Sequence, residues 1–495
     1  MKIGGVIWIA LAACTGALVG GCSKHDAAEP RQPALHADES WPNVLLISVD
    51  TLRPDHLGCY GYDRNTSPNI DRLADEGALF ENVISSTSWT LPAHAAMFTG
   101  LADTVHGAWD TDRQLAEQHV TLAERLREAG YATVGFFSGP TLYPAFGLGQ
   151  GFETYIDCTS YPELSAESAK TPGIEVGGEL QSAAMADITS PRIYAAIRQW
   201  LAENARQPFF MFIHMWDVHF DFIPPSPYDT KFDPDYTGTV TGKNFIFDES
   251  INADMPRRDV EHLIALYDGE IAWTDEHVGK ILADLEALDL HDSTIVMLLA
   301  DHGTEFFEHG SKGHRQTLFD EVVRIPLVVR WPGRIQPGLR IADQTRMMDV
   351  LPTLLDLLRM PSPTDVMGRS VAPLLFGDEL DDKVLAISEL YTLGRGLSSY
   401  RRLDRKLIRQ EATDSWVVFN LRSDPGEQRP LQNMDNPLVS VMVREANEGR
   451  AWLAEFRRKL GVGVSVPTLP AKVRSRLESL GYISGEADDE DDDDD

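Results

Sequence analysis

The chain has 495 residues, 43% hydrophobic and 24% charged, which is long enough for two folded units with a large core. Its formal net charge is −32, and the run Asp488–Asp495 supplies eight of those negatives. So acidic a balance excludes the basic footprint of a nucleic-acid-binding protein, and four cysteines, two of them before residue 23, do not make a disulfide framework.

Lys2 precedes an apolar run, Ile3–Val19, that ends in LVGGC at Cys22. The run is short for a spanning helix and suits the apolar part of a signal peptide over residues 1–22. Small residues directly before Cys22 resemble a bacterial lipobox. They predict lipid attachment at Cys22, export, and a periplasmic or outer-membrane protein held to the membrane by that anchor. LAAC at Cys14 fits locally but leaves a very short signal. A plain signal peptide, or an uncleaved anchor, is the alternative. Polar residues 23–42 then form a tether.

Val44–Val49 is an apolar run rich in branched residues, as in a strand buried on both faces of a parallel sheet. It ends in Asp50. A helix opens at Ser67-Pro68 and runs to Glu76, and a strand covers Phe80–Ser86. Helices are predicted for Leu91–Phe98 and Val120–Ala129, the latter stopped by Gly130, and Ala132–Phe137 is a strand. Tyr143–Ser190 and Pro224–Met255 lack periodicity and read as binding loops or lids. Between them lie a helix, Pro191–Asn204, and a buried strand, Phe209–His214. Val260–Leu288 is a long amphipathic helix. Strand Thr294–Ala300 then delivers a second acid, Asp301, and strand Pro326–Arg330 follows. Alternating strands and helices predict an α/β fold, an αβα sandwich around a large, mainly parallel sheet, over 43–375. Short strands at Val384–Ser388, Tyr400–Arg409 and Val417–Leu421, with a helix Ser440–Lys459, predict a smaller C-terminal α/β subdomain over 376–485. Residues 486–495 read as a solvated acidic tail.

Two buried strands ending in acids match the way open α/β sheets build sites beyond the carboxyl ends of their strands. Asp50, Asp301 and the adjacent His302 offer two carboxylates and an imidazole. Oxygens suit Ca²⁺ or Mg²⁺, and the imidazole tilts the set toward Zn²⁺ or Mn²⁺. Thr90, in Trp89-Thr90-Leu91-Pro92, reads locally as a helix N-cap. Its sharper reading is a metal-activated nucleophile at a helix N-terminus that favours an anionic substrate. His219, in MWDVHF, lies beyond a buried strand and is placed to hold substrate oxygens or protonate a leaving group. Asp217 reads as a loop cap, with a second-metal ligand as the alternative. His309, Lys312, His314 and Arg315 cluster in EHGSKGHR, either as a solvated basic loop or as a cationic clamp on an oxyanion.

The pieces NVLLISVDTLRPDHLGCYGY, TSPNIDRLADEGALFENVIS, SWTLPAHAAMFTGL, PFFMFIHMWDVHF, YDGEIAWTDEHVGKIL, ADHGTEFFEHG, LFDEVVRIPLVVRWPG and DVLPTLLDLL resemble the sulfatase family of the alkaline phosphatase superfamily. RKLIRQ, NLRSDPGEQRPLQN and LESLGYI extend the resemblance through nearly all of Asn43–Ile483. It implies hydrolysis of an anionic ester, from a small molecule or a glycan, at a metal site. The family's Cys/Ser-x-Pro-x-Arg, whose first residue becomes formylglycine, stands here as Thr90-Leu-Pro-Ala-His94. Its paired acids appear as Asp50-Thr51. Its Lys-x-His falls near Ser138 and Pro140, and its later Lys near Arg315. A Thr nucleophile with Asp-His ligands resembles instead the superfamily's phosphodiesterase and phosphoethanolamine-transferase relatives.

The expectation is thus a metal-dependent hydrolase of sulfuric or phosphoric esters, with one divalent ion (Ca²⁺, Zn²⁺ or Mn²⁺). Asp50, Asp301 and His302 hold the ion, Thr90 attacks, and His219 with His314 or Arg315 steadies the oxyanion or leaving group. A phosphodiesterase or transferase, with a second metal, is the alternative. So is an inactive binder of sulfated or phosphorylated glycans, given four replaced family residues. The sequence carries no signature of oligomeric state.

Overall fold

The computed structural model describes residues 41–159, 188–205, 208–380, 383–392 and 394–483. The signal peptide with Cys14 and Cys22, most of the tether, the middle of the Tyr143–Ser190 loop and the acidic tail lie outside the described residues. Among the described residues, no helix is long and apolar enough to cross a membrane.

Six strands lead the chain through the main sheet: β1 (Asn43–Val49), β2 (Ala78–Ile84), β3 (Ala132–Phe137), β4 (Thr154–Asp157), β5 (Phe209–Met215) and β6 (Thr294–Ala300). A short ribbon follows, β7 (Glu305–Phe306) with β8 (Lys312–Gly313), then β9 (Arg324–Arg330) and β10 (Leu339–Arg346). The eight-stranded order is β10-β2-β9-β6-β1-β5-β3-β4. Every pairing is parallel except those of β9 with β2 and β6. β1, β5 and β6 are buried along their whole length, which explains their unbroken apolar sequences. Two groups of helices cover the sheet. Pro68–Asp75 and Ser190–Asn204 pack on the long helix Arg257–Ala287, and Thr90–Thr99 packs with Leu122–Glu128 and Val350–Leu357.

Register positions the site. Val49 of β1 pairs with Met215 of β5 on one side and Ala300 of β6 on the other. The residues after these three strands therefore emerge at one level, with neighbouring strands about 4.8 Å apart. Asp50 and Asp301 are thereby brought side by side.

A second, antiparallel sheet runs in order β11 (Ala386–Thr392), β12 (Arg395–Arg402), β13 (Arg405–Gln410) and β14 (Ser415–Phe419). Helix Pro437–Leu460 covers it through Val439, Met442, Ala446 and Leu453, which pack with Ile387, Tyr400 and Leu407. The single strand expected over Tyr400–Arg409 is two strands, because the chain reverses at Leu403-Asp404. β10 escaped the sequence reading: its interior is Ala342-Asp343-Gln344, and its register slips between Ile341 and Gln344. The strap Ala471–Ser479, a helix, also carries too little apolar patterning to be read.

Candidate active site

Asp50 ends β1 and Asp301 ends β6, and both are buried. The Asp301 carboxylate accepts from its neighbour's N–H, His302 N, at 2.8 Å and from Thr51 N at 3.2 Å. Thr51 is held at φ 53° to do this, and its hydroxyl donates to Val218 O at 2.9 Å. It therefore points away from the two acids. Gly303 must be glycine, because a Cβ there would sit 2.0 Å from Glu321 O.

Thr90 is the first residue of its helix, not the cap. Trp89 holds the N-cap position and no side chain caps the helix. The expected capping role is therefore corrected: Thr90 already has helical backbone, so its hydroxyl is turned elsewhere. Oγ1 lies 3.4 Å from Asp50 Oδ2, to which it donates, and 3.4 Å from His302 Nε2. His302 in turn is 3.7 Å from Asp50 Oδ1 and 3.5 Å from Asp301 Oδ2. Asp50, Asp301, His302 and Thr90 thus meet at one point beyond the sheet's carboxyl edge.

Two histidines that the motif reading did not single out as site residues stand beside them. His214, the sixth residue of β5, has Nε2 3.4 Å from Asp50 Oδ2. His94, one turn into the Thr90 helix, has Nδ1 3.8 Å from Asp301 Oδ2. A signal was present: a histidine inside an otherwise apolar buried strand needs a polar partner.

Burial raises the Asp50 carboxyl above its ordinary range. Burial, and then the neighbouring Asp50 charge, raise that of Asp301. Burial also lowers His214 and His219 to about 4 and His94 to about 3, so these imidazoles are neutral at pH 7. Among the described residues, the ion pairs of both carboxylates are all with histidines. Asp50 Oδ1, Asp301 Oδ2 and His214 Nε2 are buried without a hydrogen-bond partner. Buried carboxylate oxygens without compensation fit a divalent cation held among Asp50, Asp301 and His302, and His94, His214 and Asp301 form a second such group beside it.

The remaining expected residues divide. His219 lies near the site: Nδ1 donates to Phe220 O at 2.7 Å and Nε2 is 3.0 Å from Tyr482 Oη. His314 is buried with its ring 5.0 Å from that of His219 and 4.7 Å from that of His302. Arg315 N donates to Ser88 O at 3.1 Å, which pulls the loop back toward Thr90. Its guanidinium lies 4.5 Å from the Trp89 ring and 4.6 Å from the Tyr482 ring, and donates to Thr392 Oγ1 at 2.7 Å. Tyr482, beyond helix Ala471–Ser479, was not anticipated as a site residue. His309 and Lys312 do not join this group, so the four-residue clamp is corrected. The β7–β8 ribbon carries them outward, where His309 pairs with Glu321 and Lys312 Nζ donates to Asp248 O (2.8 Å) and Ile251 O (2.6 Å). Asp217 accepts from Thr189 N, Thr189 Oγ1, Ser190 N and Trp273 Nε1, and so caps helix Ser190–Asn204. Ser138 O accepts from His214 Nδ1 at 2.8 Å.

The Sulfatase family profile matches residues 42–360, and the profile named N-sulphoglucosamine sulphohydrolase, C-terminal, matches 308–447. The ulvan-active sulfatase of Formosa agariphila is 25% identical over 409 residues, covering 79% of this chain and 77% of that protein. The choline-sulfatase of Rhizobium meliloti is 26% identical over 452 residues, covering 83% and 86%. Among solved structures, the phosphonate monoester hydrolase of Agrobacterium radiobacter superposes with a TM-score of 0.69 at 23% identity, covering 84% of this chain and 96% of that one. With its fold, its mostly parallel sheet and a family match spanning most of its length, the chain belongs to the sulfatase family and is a hydrolase of ester bonds.

Proposed function

We propose that the protein is an exported, metal-dependent hydrolase of sulfuric esters that uses Thr90 as its nucleophile. The observation that carries this reading is the position of Thr90 Oγ1, 3.4 Å from both Asp50 Oδ2 and His302 Nε2 at the start of a ten-residue helix. A divalent ion held by Asp50, Asp301 and His302 would supply Lewis-acid polarisation of the ester and of the hydroxyl. Thr90 Oγ1 attacks the sulfur, its proton passes to Asp50 Oδ2, and the bond from sulfur to the alcohol oxygen breaks. The departing oxygen leaves as the alcohol with the proton that Asp50 took from Thr90. His314, whose Nδ1 has no hydrogen-bond partner, hydrogen-bonds that oxygen, and Arg315 faces the oxyanion. Water then breaks the bond between sulfur and Thr90, releasing sulfate. A phosphorus-centred ester is the second reading, favoured by the close superposition on a phosphonate monoester hydrolase.

Matched 4-nitrophenyl sulfate, phosphate, phosphodiester and phosphonate esters, assayed with added metal, test both. One ester should be turned over, with Thr90→Ala slower by on the order of 10³-fold or more. A Thr90→Ala rate equal to wild type would refute the nucleophile. Metal binding without turnover of any ester would favour a binding protein. Export rests on the LVGGC sequence at Cys22. Cys22→Ser should release the protein from the membrane fraction of a bacterial host, and an unchanged distribution rules the anchor out.

A further inference from the structure

A carbonyl oxygen only accepts, so a histidine whose Nδ1 faces one carries its proton there and bares a lone pair on Nε2. Two site histidines are held in this way. His302 Nδ1 donates to Gly303 O at 2.9 Å, and His214 Nδ1 donates to Ser138 O at 2.8 Å. His302 Nε2 then faces both acids, and His214 Nε2 faces Asp50. His302 Nε2 meets Asp50 Oδ1 and Asp301 Oδ2, and His214 Nε2 meets Asp50 Oδ2 at 3.4 Å. A lone pair and a carboxylate oxygen at that distance repel unless a proton or a metal ion lies between them. His214 Nε2 has no hydrogen-bond partner, and its ring is fully buried.

His94 is as near, but both of its nitrogens are engaged. Nδ1 donates to Thr90 O at 2.8 Å, and Nε2 is 3.0 Å from Ser48 Oγ. It braces the Thr90 turn and has no lone pair to offer. Thr51, which follows Asp50, turns its hydroxyl to Val218 O. On the β5 side of Asp50 it is His214 that stands nearest with a lone pair, 3.4 Å from Oδ2.

We propose that His214 is a ligand of the same ion as Asp50, Asp301 and His302. The set is then two carboxylates and two imidazoles, which suits Mn²⁺, Fe²⁺, Co²⁺ or Zn²⁺ and disfavours Ca²⁺ and Mg²⁺. The inference rests on the metal reading given above. It is tested on chelator-stripped full-length protein by titration with Co²⁺ and, separately, with Ca²⁺. Wild type should bind one Co²⁺ per chain and prefer it to Ca²⁺. Its proton NMR spectrum should show two exchangeable, paramagnetically shifted imidazole N–H signals, one each from His302 and His214 Nδ1. His214→Ala should keep one signal and bind Co²⁺ on the order of 100-fold or more weaker. The wild-type spectrum stands even if His214→Ala fails to fold. A single shifted N–H in wild type, or two ions per chain with one lost in His214→Ala, overturns the shared-ligand assignment while leaving a metal site intact. No Co²⁺ bound by wild type overturns the metal reading itself, and His214 with it.

Discussion

Glu389 of β11 lies between the small sheet and the turn that leads to Thr90. Its N–H donates to Ser86 O at 2.7 Å, and Oε2 accepts from Thr104 N and Thr104 Oγ1, both at 3.0 Å. Burial, reinforced by the Asp103 carboxylate, pushes the Glu389 carboxyl up to about 8. An unfolded glutamate titrates near 4.3, so between about pH 4 and 8 the folded chain holds a proton that the unfolded chain has lost. The resulting stability is complete below about pH 4 and disappears as pH rises through about 8. With 1.36 kcal/mol per pH unit, the loss from pH 6 to pH 9 is about 2–3 kcal/mol. Glu389→Gln keeps an acceptor for Thr104 and cannot ionise. Urea unfolding of both proteins at pH 6 and pH 9 should show wild type losing about 2–3 kcal/mol more than the variant over that interval. Parallel losses, equal within about 0.5 kcal/mol, would refute the argument that this carboxyl is held protonated.

Asp275, on the long helix, accepts from Ile70 N (2.8 Å), Asn69 N (3.1 Å) and Asn69 Nδ2 (2.8 Å), while Ser67 at the N-cap makes no side-chain cap bond. Asp275→Ala should cost about 2–3 kcal/mol in urea unfolding, from a lost cap and stranded donors, and a change under about 0.5 kcal/mol would discount the cap. Arg315→Lys keeps the charge but loses the flat contact with Trp89 and Tyr482. We expect kcat/KM to fall by about 10- to 100-fold, with a loss of stability of about 1–2 kcal/mol from the missing aromatic contacts, and wild-type kinetics would remove Arg315 from the site.

The two acids were legible because strands β1 and β6 announce themselves as apolar runs and each ends in one. Their side-by-side placement was not, since it depends on the pairing of Val49 with Ala300 across 251 positions of chain. The side to which His214 turns was hidden by the same uniformity that revealed its strand. With β5 buried throughout, no period distinguishes the residue that faces Asp50 from those that face the core. The loop EHGSKGHR reads as one basic cluster, but the β7–β8 ribbon splits it, sending His309 and Lys312 away and returning His314 and Arg315. Tyr482 reaches His219 across 263 positions, a proximity that no local pattern encodes.

Tyr482 also bears on how molecules come and go. Asp50, Thr90, Asp301 and His302 are each at most 2% exposed, and the Tyr482 ring lies under Arg315 with its hydroxyl on His219. An ester that approached Thr90 past Tyr482 would have to displace that ring. Raising it strips Arg315 of one aromatic face and His219 of its hydroxyl partner, so the doorway opens with its cation bared toward an arriving anion. Closing restores both contacts and shuts out bulk water. Tyr482 N is anchored on Leu477 O at 2.8 Å, and the rate at which that contact opens would then bear on residence time and turnover. Amide exchange at Tyr482 faster than at β1, and slowed by a bound anion, is the behaviour expected of such a door. Exchange as slow as the core of the sheet would mean that the reactants use another route.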